Sequence, residues 1–144
     1  MSGVDLEAGC ETSLSKGESV YVPIYSNVFS GPKASPFELA VMLSIRNMDP
    51  KHSISVLKAE YHDSSGKNLE SYVQKPTEVK PMASIYFYIK EYDKRGGPGA
   101  SFLVKWSSRH KVNMPIIEGI MLGLSSGQGV SFVCPGRIIT EHRE

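Results

Sequence analysis

Two short stretches carry side chains that could share acid–base or metal chemistry. Asp49-Pro50-Lys51-His52 and Tyr61-His62-Asp63 both fall near strand ends, which could bring two imidazoles and two carboxylates to one end of a sheet. Their spacing argues for turn residues instead. The four histidines, His52, His62, His110 and His142, share no metal-ligand spacing, and a zinc site needs three or four convergent ligands. Asp63-Ser64-Ser65-Gly66-Lys67-Asn68 opens like a calcium loop, but Lys67 stands where an oxygen ligand belongs, and no Glu closes the loop. Arg95-Gly96-Gly97-Pro98-Gly99 could offer backbone N–H groups to an anion, yet a strand pattern follows where a phosphate loop requires a helix. A mobile hairpin is expected there. Gly123 to Gly129 fails the dinucleotide test for the same reason. No serine occupies a nucleophile elbow, and Cys134 has no histidine partner by sequence. The expectation is a non-enzymatic domain without catalytic residues, metal or cofactor.

Glu118 and the tyrosines carry the remaining signal. Glu118 shares one face of its segment with Ile116, Ile120 and Leu122, while Ile117, Gly119 and Met121 form the other. Both faces are apolar, as in a central strand covered on both sides or a strand at an interface. A buried carboxylate there needs a partner, for which Arg46 and Lys105 are candidates. A solvent-facing Glu118 is the alternative. Tyr21, Tyr25, Tyr86, Tyr88 and Tyr92 lie opposite the best apolar rows, where amphipathic rings suit a binding surface, a subunit interface or ordinary cross-strand packing.

The elements that must position these residues are strands. In Phe37-Glu38-Leu39-Ala40-Val41-Met42-Leu43-Ser44-Ile45-Arg46 the apolar residues recur every second position, the period of a strand with one buried face. Further strands are expected at Ser19 to Tyr25, Ile54 to His62, Asn68 to Val73, Ser84 to Glu91, Ala100 to Ser107, Ile116 to Leu124, Gly129 to Cys134 and around Arg137 to Ile139. Pro23 cannot donate a ladder hydrogen bond, so its strand should be an edge or contain a bulge. Asn27 to Ser35 and Lys75 to Pro81 read as loops. Gly66 closes a hairpin turn. No stretch of helical periodicity appears. Trp106 should plug the space between two sheets. Seven to nine short strands with frequent Gly/Pro turns predict a single antiparallel β-sandwich of the immunoglobulin or fibronectin type III kind, with a closed barrel as the rival. The sandwich should span 17–140, behind a flexible leader at 1–16 and before a frayed tail at 141–144.

The 144 residues suffice for one two-layer core. A net charge of +1, with no charge block, gives no reason to expect nucleic acid as a partner. No apolar run reaches the roughly 18 residues of a membrane helix, so no membrane span is expected. Cys10 and Cys134, near opposite ends, could pair if the termini meet, but two cysteines make no disulfide framework and unpaired thiols are the ordinary reading. Leu6-Glu7-Ala8-Gly9-Cys10 approximates the end of a lipoprotein signal, but Glu7 is out of place and no hydrophobic segment precedes it.

Four segments in order carry a family likeness: Ser19-Val20-Tyr21-Val22-Pro23-Ile24-Tyr25-Ser26; Ser44-Ile45-Arg46-Asn47-Met48-Asp49; Gly97-Pro98-Gly99-Ala100-Ser101-Phe102-Leu103-Val104-Lys105-Trp106; and Pro115-Ile116-Ile117-Glu118-Gly119-Ile120-Met121. Together, over about residues 17 to 140, they resemble the bacterial domain of unknown function 3124. The resemblance implies a small bacterial β domain, often made with an export or lipoprotein signal, and hence a periplasmic or cell-envelope location. A cytoplasmic location stays open, because this chain shows no signal segment. The resemblance implies no substrate, cofactor or catalytic residue. A looser likeness to desiccation-related late embryogenesis abundant sandwich domains concerns architecture alone.

The function expected from these features is protein interaction or a structural role. The partner is an unknown protein, with a homodimer the simplest case, and Tyr21, Tyr25, Tyr86, Tyr88, Trp106, Glu118 and Arg46 are the candidate residues. A small-molecule or glycan-binding domain using the tyrosines and loops is the runner-up, and an enzyme of unknown reaction comes third.

Overall fold

The structure is a computed structural model that describes residues 14–91, 93–125 and 127–142. Twelve strands and no helix occur among them: β1 (Leu14–Pro23), β2 (Asn27–Ser30), β3 (Ser35–Glu38), β4 (Ala40–Arg46), β5 (Ile54–His62), β6 (Asn68–Ser71), β7 (Thr77–Val79), β8 (Ser84–Ile89), β9 (Ser101–Asn113), β10 (Ile116–Ser125), β11 (Gln128–Pro135) and β12 (Arg137–Glu141). One sheet has the order β12-β1-β9-β5-β6, with β7 also paired to β5. A second has the order β11-β10-β4-β8, and β2-β3 form a separate hairpin. Every pairing is antiparallel. The sheets do not join into a closed barrel.

The period-two pattern sets which face goes inside. Val20, Val22 and Ile24 meet Phe102, Val104 and Trp106 from the first sheet, and Val41, Leu43, Ile45, Ile117 and Met121 from the second, in one core. Trp106 is 0% exposed. The layers approach closely where Gly119 faces Ile24: a Cβ on Gly119 would stand 2.7 Å from Ile24 Cγ2.

Several elements depart from the expectation of seven to nine strands. Asn27 to Ser35 is a hairpin arm and turn rather than a plain loop. Phe37 to Arg46 divides into β3 and β4 at Leu39, which takes part in neither ladder. Leu39 N donates to Ser26 O at this break. Thr77–Val79, between two prolines, pairs with β5. The first strand begins at Leu14 rather than Ser19, so Leu14 to Lys16 of the expected leader are strand, and residues 1–13 lie outside the described residues. At the other end Glu141 belongs to β12 rather than to a frayed tail, His142 N donates to Gly17 O, and 143–144 lie outside the described residues. Of the two readings of the Pro23 strand, an edge or a bulge, the edge fails and the irregularity is present: β1 runs between β12 and β9 with register shifts near Ser15 and Ser19, and Pro23 ends it beyond the last pair with β12.

Candidate functional site

The outer face of β11-β10-β4-β8 carries ordered rows of apolar side chains. Alternation sends Val41, Leu43 and Ile45 of β4 inward, so Ala40, Met42, Ser44 and Arg46 face outward. Register then aligns one row of Val133, Ile120, Met42 and Tyr88 across four strands. The next row is Pro135, Glu118, Ser44 and Tyr86, followed by Ile116, Arg46 and Ser84. On the other side lie Ser131, Leu122 and Ala40. Directly opposed residues in such rows stand about 4.5–5.5 Å apart and behave as one surface. Tyr86 is 68% exposed, Tyr88 56% and Leu124 65%. Within these rows Arg46 and Glu118 are the only charges. An open depression of about 470 Å³ lies beside Tyr88, Leu122 and Leu124.

Four of the seven candidate residues, Tyr86, Tyr88, Arg46 and Glu118, therefore share this face. Tyr21 is exposed on the other sheet, beside the β11–β12 crossover. Tyr25 is half-buried, its ring edge-on to Phe132 at 5.6 Å. Trp106 is core, and Tyr92 lies outside the described residues. Glu118 is half-buried on the outer face. It forms no ion pair with Arg46 or Lys105 among the described residues, and Lys105 points outward from the opposite sheet, where it cannot reach Glu118.

A carboxyl that does enter the core is Glu18, 2% exposed. It stands opposite Trp106 in the β1–β9 ladder, and Trp106 Nε1 donates to Glu18 Oε1 at 3.1 Å. Glu18 Oε2 is buried without a partner. Burial raises its pKa, the Trp106 hydrogen bond opposes the rise, and the charge of Glu141 adds to it. A sequence signal existed: Glu18 falls in phase with Val20, Val22 and Ile24 once the strand is extended backwards.

The two histidine stretches do not meet at one end of a sheet. His52 precedes β5 and His62 ends it, so the strand separates them by roughly 30 Å at about 3.3 Å per residue. His62 contacts Glu60 Oε1 and Gly66 O. His52 stacks on His110, with ring centroids 4.0 Å apart and an interplanar angle of 23°. Asp49 accepts from the backbone N–H groups of Lys51, His52 and Asn113. Burial alone would push its carboxyl up, but these three bonds outweigh it and hold it below the usual range. Among the described residues no group of three metal-ligating side chains converges.

Asp63 accepts from Ser65 N, Ser65 Oγ and Lys67 N, the pattern of a turn. The glycine loop before β9 is tethered rather than free: Ser64 N and Oγ donate to Gly96 O, Gly99 N donates to Ser64 Oγ, and Gly97 N donates to Ser26 Oγ. Cys134 is half-buried on β11 and burial raises its pKa; Cys10 lies outside the described residues. No helix among the described residues is long and apolar enough to cross a membrane.

The class defined so far is an all-β domain of antiparallel sheets with one apolar outer face. The chain belongs to the family described as protein of unknown function DUF3124, whose model matches residues 17–139. A search of curated proteins finds no match. Among solved structures the chain is similar to one described as the crystal structure of Thermotoga maritima 1070, at 12% identity and a TM-score of 0.46, over 85% of this chain and 93% of that one.

Proposed function

We propose that this protein is a non-enzymatic interaction module of the bacterial cell envelope, an immunoglobulin- or fibronectin type III-like sandwich that docks a second copy of itself through the outer face of β11-β10-β4-β8. The observation that carries this reading is the row of Val133, Ile120, Met42 and Tyr88, apolar across all four strands. Covering such a patch is favourable by about 25 cal/mol per Å² of apolar surface. The face also carries its own complement. Arg46 and Glu118 stand in adjacent rows, so a two-fold axis between them would bring Arg46 of one copy to Glu118 of the other. The location rests on the family resemblance. Binding of a small molecule or glycan at the depression beside Tyr88 is the weaker reading, because that depression is open and would leave much of a ligand in solvent.

Sedimentation equilibrium at about 100 µM should show a dimer, since a modest specific interface of roughly µM affinity would be saturated there. Met42→Glu should give a monomer with an unchanged circular dichroism spectrum. Arg46→Glu should weaken the dimer, and Arg46→Glu combined with Glu118→Arg should restore it. A wild-type protein that stays monomeric at that concentration, or a dimer indifferent to Met42→Glu, would refute this assignment.

A further inference from the structure

A second surface, remote from the apolar face, is built around the histidine stack. Its origin is a defect in the β1–β9 ladder. Gly17 pairs with Ser107 and Ser15 with Val112, so four residues, Ser108 to Lys111, stand opposite the single Lys16. The extra length arches β9 out of the ladder, and bulges of this kind re-aim side chains. Gly17 permits the close pairing at the foot of the arch, where a Cβ would lie 2.8 Å from Trp106 O. The arch is fastened at both ends to the β4–β5 turn. Ser108 Oγ donates to Ser53 O at 2.9 Å, and Asn113 N donates to Asp49 Oδ2 at 3.0 Å. These ties bring His110 face to face with His52.

The result is an open, mostly polar cleft of about 620 Å³. Lys51, His52, Arg109 and His110 line it, and Ser55 and Ser107 form a directly opposed pair of hydroxyls on its floor. Glu78 is the one carboxylate in the lining. Asp49 lies behind His52 with its oxygens taken up by backbone N–H groups. Among the described residues, no ion pair joins Lys51 or Arg109 to a carboxylate. An imidazole can donate an N–H in either protonation state. Guanidinium, ammonium, imidazole and hydroxyl donors together fit a tetrahedral oxyanion, with Arg109 offering a fork and Lys51 a point charge.

We infer that the cleft between the β4–β5 turn and the β9 arch binds a phosphate-type dianion, held by Lys51, Arg109 and the stacked pair His52–His110. The anion is either free inorganic phosphate or the phosphate monoester of a larger molecule. The full chain would be titrated with inorganic phosphate and, separately, glycerol 3-phosphate at constant ionic strength, following the histidine ring signals by NMR. Saturable movement of the His52 and His110 signals is expected, with a Kd on the order of 1 mM, while His62 at the far end of β5 stays still. Tighter binding of glycerol 3-phosphate would identify a monoester as the ligand; equal or weaker binding would identify the free anion. Arg109→Ala and Lys51→Ala change exposed side chains and should each weaken binding at least fivefold with an unchanged fold. Linear, parallel drift of all four histidines with both anions, or saturation untouched by Arg109→Ala, would overturn the inference.

Discussion

Glu18 is a carboxyl held in the core by a single indole N–H, with its second oxygen unpartnered. Burial lifts its folded-state pKa above the unfolded value of about 4.5. Between those two values the folded state binds more protons than the unfolded state. Its contribution is therefore fully present below the unfolded value and is lost as pH rises through the folded one. Glu18→Gln removes the charge and keeps an oxygen for Trp106 Nε1. The variant should gain stability over wild type by a larger margin at pH 7.5 than at pH 4.5, measured by urea unfolding; a pH-independent difference would exclude this account. Trp106→Phe leaves the carboxyl with no donor and should cost about 1–3 kcal/mol beyond lost packing. In the Glu18→Gln background that cost should shrink, which a double-mutant cycle reads directly. Glu118, by contrast, is half-buried on the outer face, and Glu118→Gln should change stability by under about 0.5 kcal/mol at concentrations where the protein is monomeric. The sequence singled out Glu118 because its neighbours on both faces are apolar. It could not show that none of the described residues covers the outer face, whereas Glu18 was hidden by starting the first strand one step too late.

At the scale of elements, the strands with strict alternation were legible and the irregular ones were not. β8 and β10 follow the period-two pattern nearly to the residue, since one buried face is enough to specify them, whereas β5 has the expected bounds but changes phase at a bulge between Val56 and Lys58, so that Ile54 and Val56 are followed inward by Ala59 and Tyr61. The division at Leu39, the short β7 and the arch of β9 depend on partners distant in sequence. The arch is the instructive case. Nothing in Ser108-Arg109-His110-Lys111 announces a bulge; it exists because Ser15 and Gly17 pair with residues five positions apart on β9. The histidine cleft was invisible for that reason, while His52 and His62 were grouped merely because both end strands. Gly119 belongs to this scale as well. Gly119→Ala would drive a methyl group into Ile24 and force the two layers apart, at a cost of about 1–3 kcal/mol. Urea unfolding should show a lower midpoint with the slope retained. An unchanged midpoint would mean that Ile24 can move aside freely.

For the whole molecule, the apolar face and the polar cleft belong to different sheets. The first is the outer surface of β11-β10-β4-β8; the second is assembled from the β4–β5 turn, β5, β7 and β9. Pairing through the first would leave both copies of the second open. Phosphate binding should therefore be equal in wild type and in the monomeric Met42→Glu variant, as read by the same histidine signals. Different affinities in the two proteins would mean that the surfaces are coupled. The all-β class and the apolar face could be read from the residues, because side-chain alternation records both faces of a strand. Which strands neighbour one another could not, since sheet order depends on how distant segments meet.

The strand order has a kinetic consequence. β1 is hydrogen-bonded on one side to β9 and on the other to β12, the last strand of the described chain. During synthesis β1 must wait for β9 before its first edge can be covered, and for β12 before its second. Its hydrophobic row of Val20, Val22 and Ile24 stays available to wrong partners for that time. High contact order of this kind places folding in the millisecond-to-second range. A chain stopped after residue 136 would leave one edge of β1 bare, so a nascent chain arrested there should be cut by protease within β1, and one released at full length should resist.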